Sequence, residues 1–196
     1  MDYLNIAACI PCTEAEGPGK RFSLWLQGCL QRCPGCCNPE MQEFVPRRIV
    51  SVDEVLQRIE QAAAMGIEGI TLLGGEPMLQ AKGLAVIARE CRRRSLSVVV
   101  FSGYTLRQLQ RDALPGVHEL LAHSDILVDG PFIATMPDLT RCWVGSTNQR
   151  FHFLSGRYPS GIESAGPCRD VAELRRLPNG ACVINGAPRM SHFLRS

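Results

Sequence analysis

The sequence has little of several features that define protein classes. Its 196 residues carry a formal net charge of only +2, which argues against a nucleic-acid scaffold. Long apolar runs are missing: none is long enough to span a bilayer, and the opening "MDYLNIAACI" lacks the basic start and long apolar core of a secretion signal. Repeats and low-complexity tracts are absent before about residue 155. We therefore expect a globular cytoplasmic protein with no nucleic-acid partner and no membrane partner.

Histidine is also scarce, whereas cysteine is abundant. The four histidines, at 118, 123, 152 and 192, form no HxxxH pair, so a four-ligand structural zinc site is a poor fit. In a reducing cytoplasm, ten cysteines are more typical of metal binding or redox chemistry than of disulfides. Dispersed cysteines behave as small hydrophobic residues, and Cys9, Cys91 and Cys142 are interpreted in that way.

Apolar runs followed by helical patterns predict an α/β protein. Ser51 and Glu54 form a predicted capping box at the start of "SVDEVLQRIEQAAAMG", and Thr105 with Gln108 does the same for "TLRQLQR". Further helices are predicted over about 79–94 and at "GVHELLA". Strands that alternate with helices indicate a mainly parallel sheet. The predicted strands are "YLNIAACI", "RFSLWLQG", "IEGITLL", "LSVVVFSGYT" and "DILVDGPF".

The loops after these strands hold the candidate site. In parallel sheets the carboxyl ends of the strands carry the binding loops, so we expect "GGEP", "SGYT" and "VDGPF" to line one rim with the cysteine cluster. Composition changes near residue 155 to a stretch dense in Gly, Pro and Ser, followed by a predicted short helix "DVAELRRL". We therefore predict a core domain over 1–155 and a C-terminal extension of unknown role over 156–196.

The segment "GCLQRCPGCCNPE" packs four cysteines, at 29, 33, 36 and 37, into nine positions. A thioredoxin-like interpretation uses Cys33 and Cys36 as a CxxC pair, but it leaves Cys29 and the glycine loops unexplained. Iron-sulfur clusters are held by closely spaced thiolates, normally four to a 4Fe-4S cube. Three cysteines in one loop would therefore hold three irons and leave the fourth iron open to a substrate or cofactor.

Cys29, Cys33 and Cys36 match the CxxxCxxC signature of the radical S-adenosylmethionine (SAM) superfamily, which the chain resembles. "GGEP", at 74–77, stands where that superfamily carries its glycine-rich SAM motif. More narrowly, the chain resembles the activating enzymes of glycyl radical enzymes, above all the activase of anaerobic ribonucleotide reductase. The matching segments are "EGPGKR", "QGCLQRCPGCCNPEMQEF", "LLGGEP", "FSGYT", "DILVDGPF" and "VGSTNQR".

The resemblance implies a fold, two cofactors and two partners. The fold is an incomplete parallel (βα) barrel of the radical SAM type with a short C-terminal extension. A 4Fe-4S cluster on Cys29, Cys33 and Cys36 would cleave SAM reductively to a 5′-deoxyadenosyl radical, which would abstract a hydrogen atom from a glycine of a large glycyl radical enzyme. An electron donor such as flavodoxin or ferredoxin is also implied.

The resemblance also implies SAM contacts at the ends of the strands. Gly74 and Gly75 would approach the methionine end, Glu76 would bind its ammonium group and Pro77 would stiffen the loop. The other implied contacts are Gly35, Cys36 and Cys37 near the adenine, and Ser102, Tyr104 and Asp129 near the ribose or the methionine carboxylate. Ser102 and Asp129 are also open to interpretation as turn residues.

Cys37 departs from the family pattern, in which an aromatic residue or histidine usually follows the last cysteine. It is interpreted as a packing residue rather than as a fourth ligand, because adjacent cysteines do not easily reach one cube. Two other functions stay open. One is a radical SAM maturase with an auxiliary cluster, for which Cys168 and Cys182 would need further ligands from Cys142 and from Cys9 or Cys12. The other is a non-catalytic iron-sulfur electron-transfer module.

Overall fold

The structure, a computed structural model, describes residues 2–112, 114–165, 172–176 and 182–186. Helices within these ranges are α1 (Val52–Ala63), α2 (Ala81–Arg93), α3 (Leu106–Arg111) and α4 (Val117–Ala122). None of them has the length and apolar character that a bilayer crossing requires. The strands are β1 (Tyr3–Thr13), β2 (Arg21–Leu26), β3 (Arg48–Ser51), β4 (Gly69–Gly74), β5 (Ser97–Phe101), β6 (Ile126–Asp129), β7 (Arg150–Phe153), β8 (Ala172–Arg176) and β9 (Cys182–Gly186).

A seven-stranded sheet in the order β3-β1-β2-β4-β5-β6-β7 forms the centre of the described protein. Strands β2, β4, β5 and β6 are parallel neighbours, whereas β1, β3 and β7 join the sheet antiparallel. The predicted parallel sheet is therefore confirmed for the four central strands. Its further curvature into an incomplete barrel stays a prediction. Strands β3 and β7, each four residues long, were not predicted.

Alternation along the parallel strands creates a core on each face of the sheet. Val98 and Val100 of β5 point into the larger core, where α1 and α2 pack, while Val99 lies in a second core with Val128 and Val144. Cys91 is buried in the larger core, as predicted. The helix starts follow the predicted caps: Ser51 Oγ accepts from the Glu54 amide, and Thr105 and Gln108 complete a capping box.

The amino ends of the parallel strands enclose a buried arginine. Arg21, fully buried at the start of β2, donates from Nε to Thr71 Oγ1 at 2.6 Å and from Nη1 to Ser97 Oγ at 3.0 Å. It also donates to the carbonyls of Pro18 and Ile70. Because a buried guanidinium is costly unless its donors are satisfied, this network fixes how β2, β4 and β5 meet.

The C-terminal segment contains strands where a helix was predicted. Within "DVAELRRL", residues Ala172–Arg176 form β8, which pairs antiparallel with β9. Side chains alternate along β8: Glu173 accepts from the Glu14 amide at 2.8 Å, whereas Leu174 is 67% exposed. Alternation with a period of two is typical of a strand, whereas the composition suggested a helix. Contacts with β1 and with the loop after it hold the segment in this extended conformation. The domain boundary at residue 155 stays a prediction.

Candidate cofactor site

A cavity of about 1030 Å³ opens at the carboxyl ends of β2, β4 and β5, slightly above the usual range for ligand pockets of about 300–1,000 Å³. The predicted rim is therefore confirmed as a place where the cysteine loop and the glycine loops meet. Pro77, Tyr104 and Asp129 do not line this cavity. The predicted residues that line it are Cys29, Cys33, Gly35, Cys36, Cys37, Gly74, Gly75, Glu76 and Ser102.

The cysteine loop is fixed at its base. Just after β2, the Gly28 amide donates to Met41 O at 2.8 Å, and the Cys29 amide donates to Gln42 O at 3.1 Å. Gln27 adds a side-chain donor to the Glu43 carbonyl at 2.7 Å. Because both ends of the loop are held together in this way, the segment between them projects over the strand ends as one unit.

The tip of the loop turns tightly around its cysteines. The Cys36 amide donates to Cys33 O at 3.1 Å, and Gly35 takes a positive φ of 74°, a conformation in which glycine has no steric cost. Cys29 is buried, Cys33 and Cys36 are partly exposed and Cys37 is exposed. The three predicted ligands thus lie on one short loop that faces the cavity.

The cysteines differ in their readiness to ionise. A hydrogen bond from the Cys37 thiol is the main cause that lowers the pKa of Cys36 to about 6, and the Asn38 amide also donates to Cys36 Sγ at 3.4 Å. The same hydrogen bond raises the pKa of Cys37, whereas burial raises the pKa values of Cys29 and Cys33. The thiolate is the form of cysteine that ligates metal. Cys37 therefore stabilises the ligating form of Cys36.

Among the described residues, no three His, Cys, Asp or Glu side chains converge on the position of a single metal ion. A 4Fe-4S cube does not need such convergence, since each of its cysteines ligates a different iron. Cys29, Cys33 and Cys36 lie on one loop that lines a cavity of about 1030 Å³, and three closely spaced thiolates are the donor set that an iron-sulfur cluster takes.

The two glycines of "GGEP" are required by backbone packing. A Cβ on Gly74, whose φ is +103°, would lie 2.6 Å from the Leu26 amide nitrogen. A Cβ on Gly75 would lie 2.5 Å from Gly28 O and 2.8 Å from Met41 O. Any larger residue would push the "GGEP" loop away from β2 and from the base of the cysteine loop. The glycines therefore allow the two loops to pack closely, and this packing role is additional to the SAM contact that was predicted for them.

Glu76 is the fully buried carboxylate of the site. Its Oε1 accepts from the Met78 amide at 3.0 Å and from Ser102 Oγ at 2.9 Å, and its Oε2 accepts from the Gly103 amide at 2.8 Å. Burial nevertheless raises its pKa to about 7 against these hydrogen bonds. A carboxylate has room for about four donors, so these three hydrogen bonds do not exhaust the acceptor capacity of Glu76, which belongs to the cavity lining.

The remaining predicted contacts serve the loops around the cavity. Pro77 is the first residue of a short 3₁₀ helix, and Tyr104 packs its side chain against the larger core. Asp129 Oδ2 accepts from the Leu106 amide at 2.5 Å at the start of α3, while its buried Oδ1 has no hydrogen-bond partner in the described structure. Of these, Asp129 retains a polar atom without a partner.

Several cavity residues were not singled out from the sequence. Trp25, Phe132 and Trp143 contribute large aromatic surfaces, and the positive φ of 66° at Trp143 marks a constrained loop. Strand β2 alternation gives a partial signal for Trp25, since every second residue faces this side. The C-terminal hairpin of β8 and β9 contributes Arg175, Asn185 and Gly186, for which the sequence offered no recognised pattern.

An α/β scaffold with a three-cysteine loop at the strand ends defines a class of iron-sulfur protein, and residues 15–152 match the family described as "4Fe-4S single cluster domain". Relatives named anaerobic ribonucleoside-triphosphate reductase-activating protein include that of Pasteurella multocida, 31% identical over 74% of this chain and 95% of the relative. That of Vibrio cholerae is 30% identical over 76% of this chain and 97% of the relative. That of Escherichia coli K12 is 28% identical over 77% of this chain and 99% of the relative. The chain therefore belongs to the 4Fe-4S single-cluster family and to the family of these reductase-activating proteins. The predicted family and enzyme class are confirmed.

Proposed function

We propose that this protein uses a 4Fe-4S cluster to cleave SAM reductively and to generate a glycyl radical on a partner enzyme, anaerobic ribonucleotide reductase. The observation that carries the proposal is the single cavity that brings together Cys29, Cys33 and Cys36 with the "GGEP" loop and Ser102. The names of the relatives support the reductase as the partner. The incomplete barrel of the radical SAM type and the cytoplasmic location belong to the same proposal.

Cys29, Cys33 and Cys36 would hold the cluster, since they lie on one loop facing the cavity. Together the cluster and SAM supply a 5′-deoxyadenosyl radical when bound and reduced. Within the chain, Cys37 donates its thiol hydrogen to Cys36 and favours the ligating thiolate. The buried position of Cys29 limits access of water to one side of the loop.

Glu76 would orient SAM by accepting hydrogen bonds from its ammonium group. The carboxylate cannot rotate freely, because Ser102 and the Gly103 amide hold its two oxygens. A cation at the cavity side would lower the pKa of Glu76 from about 7 and favour the charged form. Gly35, Cys36, Cys37, Gly74, Gly75, Pro77, Ser102, Tyr104 and Asp129 remain proposed contacts or supports for SAM.

The aromatic wall of the cavity would shield a reactive radical from solvent. Trp25 is 6% exposed, and Phe132 and Trp143 line the same space. Excluding water from such a site prevents side reactions of reactive intermediates. An external electron donor such as flavodoxin or ferredoxin completes the proposal, because reductive cleavage consumes one electron.

The proposal is tested by comparing Cys33→Ala with Cys12→Ala. Cys12 is a partly buried thiol on β1 that packs against the core and does not line the cavity. After anaerobic reconstitution with iron and sulfide, each protein is given dithionite and SAM, and 5′-deoxyadenosine is measured. We expect Cys33→Ala to lose more than about 99% of product, about 2.7 kcal/mol at the barrier, and Cys12→Ala to keep wild-type activity.

Two results would contradict the proposal. Wild-type protein with a fully loaded cluster that forms no 5′-deoxyadenosine would favour the electron-transfer module. Equal loss of product in both variants would show that activity does not depend on the three-cysteine loop. The maturase alternative has no supporting observation in the described residues, because Cys168, one of the ligands that it needs, lies outside them.

A further inference from the structure

A second cavity, of about 410 Å³, lies between α1 and the β1 and β3 side of the central sheet, within the usual range for ligand pockets of about 300–1,000 Å³. We call it the arginine cleft. None of the predicted cluster ligands and no residue of "GGEP" lines it, so the proposed function does not account for it. The described residues that line it are Cys9, Pro11, Phe22, Arg48, Arg58, Gln61, Ala62 and Met65.

A strand and a helix direct their arginines to the same side of the sheet. Arg48 begins β3 and lies on the same face of that strand as Val50, which is buried in the larger core where α1 packs. On α1 and the turn after it, the lining residues stand at positions 58, 61, 62 and 65, which is the spacing of one helix face. Arg48 and Arg58 therefore approach the arginine cleft from opposite walls.

Both guanidinium groups are accessible and lie near one another. Arg48 is exposed, and the side chain of Arg58 is 33% exposed. Burial raises the pKa of the Cys9 thiol, and the positive charges of Arg58 and Arg48 oppose this shift. Because both charges act on one thiol, both guanidinium groups lie near the same sulfur atom. A single small ligand beside Cys9 can thus reach both.

The positive charge of the arginine cleft is incompletely balanced. Since the pKa of Cys9 is raised, its thiol is protonated at neutral pH and supplies no counter-charge. Glu54 pairs with Nη2 of Arg58, whereas Arg48 forms no ion pair with any residue that the structure describes. No acidic side chain belongs to the described lining. Two guanidinium groups with one carboxylate partner leave a net positive charge and free donors for an anion.

A phosphate group matches this wall better than a carboxylate does. One arginine is enough to pair a carboxylate, which has a single charge and two oxygens. A phosphate monoester carries a charge of about −1.5 to −2 and three strong acceptor oxygens, enough for two guanidinium groups, and the Cys9 thiol is a further weak donor. Pro11 and Met65 offer apolar surface for the organic part of such a ligand.

We propose that Arg48 and Arg58 form a binding site for the phosphate group of a small ligand, held beside the Cys9 thiol in the arginine cleft. The site adjoins the cofactor cavity, because Cys9, Pro11 and Arg48 line both, but it is separate from the contacts proposed for the cluster and SAM. Two sources carry this chemistry, inorganic phosphate and a nucleotide, and the experiment distinguishes them.

The test measures binding to the cluster-loaded protein with SAM present, in phosphate-free buffer. Inorganic phosphate and ATP are titrated separately by isothermal calorimetry. We expect Arg48→Gln and Arg58→Gln each to raise the Kd at least about tenfold, or about 1.4 kcal/mol. Tighter binding of ATP than of inorganic phosphate would identify a nucleotide as the ligand, and equal affinity would identify free phosphate.

Arg89→Gln is the matched control. Arg89 lies on α2 and pairs with Glu119 at 2.9 Å, as Arg58 pairs with Glu54, but it does not line the arginine cleft. This variant is expected to change the Kd less than about twofold. Thermal melting of each variant verifies that the substitutions leave the fold intact.

Alkylation of Cys9 locates the bound anion. Saturating phosphate or ATP is expected to slow the reaction of Cys9 with N-ethylmaleimide at least about threefold, as measured by mass spectrometry, and to leave Cys12, which does not line the cleft, unchanged. The inference is wrong if neither probe binds at about 10 mM, if both arginine variants bind as tightly as wild type, or if SAM displaces the anion, which would place it in the cofactor cavity.

Discussion

Strand β5 carries one serine at its start and another just beyond its end, and the two serve different networks. Ser97 accepts from the Arg21 guanidinium at 3.0 Å at the amino end of the parallel strands. Ser102 donates to the Glu76 carboxylate at 2.9 Å at the carboxyl end. Both ionisable partners have no exposed surface. The two ends of one strand can thus be compared directly.

Arg21 and Glu76 differ in the hydrogen-bonding capacity that each has left for a ligand. Every nitrogen of the Arg21 guanidinium donates to the protein itself, so nothing remains for a ligand. Glu76 lines a cavity with acceptor capacity to spare, and burial raises its pKa to about 7. The fully satisfied Arg21 therefore fixes the strands at one end, while at the other end the carboxyl group of Glu76 keeps acceptor capacity in the lining of the candidate cofactor cavity.

Arg21→Met, at the amino end of the strands, is expected to have the largest effect on stability. This change removes the donors to Thr71 Oγ1 and to the Ile70 carbonyl and leaves those acceptors buried. We expect the free energy of unfolding to fall by about 3 kcal/mol, as measured by urea denaturation of the apoprotein. Iron loading per folded chain should not change. A loss below about 1 kcal/mol would mean that the arginine network does not hold the amino ends of the strands.

Glu76→Gln tests the other end through its dependence on pH. The folded-state pKa of about 7 exceeds the usual 4.5, so folded protein retains a proton that the unfolded chain has released. The contribution of Glu76 to stability is therefore fully present below pH 4.5 and is lost as the pH rises through about 7. We expect a loss of about 2 kcal/mol from Glu76 between pH 5 and pH 7, and Glu76→Gln should abolish that share.

Glu16 supplies the control for this pH series, because burial raises its pKa to about 7 as well. Denaturation of apoprotein at several pH values should show two similar contributions, of which Glu76→Gln removes one and Glu16→Gln the other. An unchanged pH slope in Glu76→Gln would contradict the assignment of a protonated Glu76 in the folded apoprotein.

Ser97→Ala and Ser102→Ala are expected to have the smallest effects on stability. They compare the two ends of β5 directly, because each removes one serine hydroxyl. Each is expected to cost about 1 kcal/mol of stability. Only Ser102→Ala should shift the Glu76 titration upward, because it removes a donor that stabilises the carboxylate. NMR titration of the Glu76 carboxyl carbon checks this, and equal shifts in both variants would show that the two networks are coupled.

Local patterns were enough to predict much of the scaffold. Ser51 and the apolar spacing after it predicted α1, and long apolar runs predicted β2, β4, β5 and β6 within a few residues. Strands β3 and β7 escaped notice because each has only four residues and little burial. The error at β8 has another cause: "AELRR" has the composition of a helix, but contacts of Glu173 and Arg175 with residues 12–14 impose a period of two.

Some features of the candidate site could likewise be predicted from the sequence, whereas others depend on tertiary packing. The sequence positions of Cys29, Gly74 and Glu76 predicted that they would share a rim, because the carboxyl ends of parallel strands meet. The hydrogen bonds that Glu76 receives from Ser102 and Gly103 depend on how two loops cross in space. Asn185 comes from a segment with no motif, and its place in the cavity follows only from the packing of the hairpin.

The contacts of Gly75 and Glu76 have a consequence for protein engineering. Gly75 faces the carbonyls of Gly28 and Met41, while Glu76 takes hydrogen bonds from Ser102 and Gly103. The loops after β2, β4 and β5 are therefore not interchangeable modules. A loop graft intended to alter substrate choice would have to transplant all three together, whereas the hairpin, joined to the rest through residues 12–16, offers a separate element to exchange.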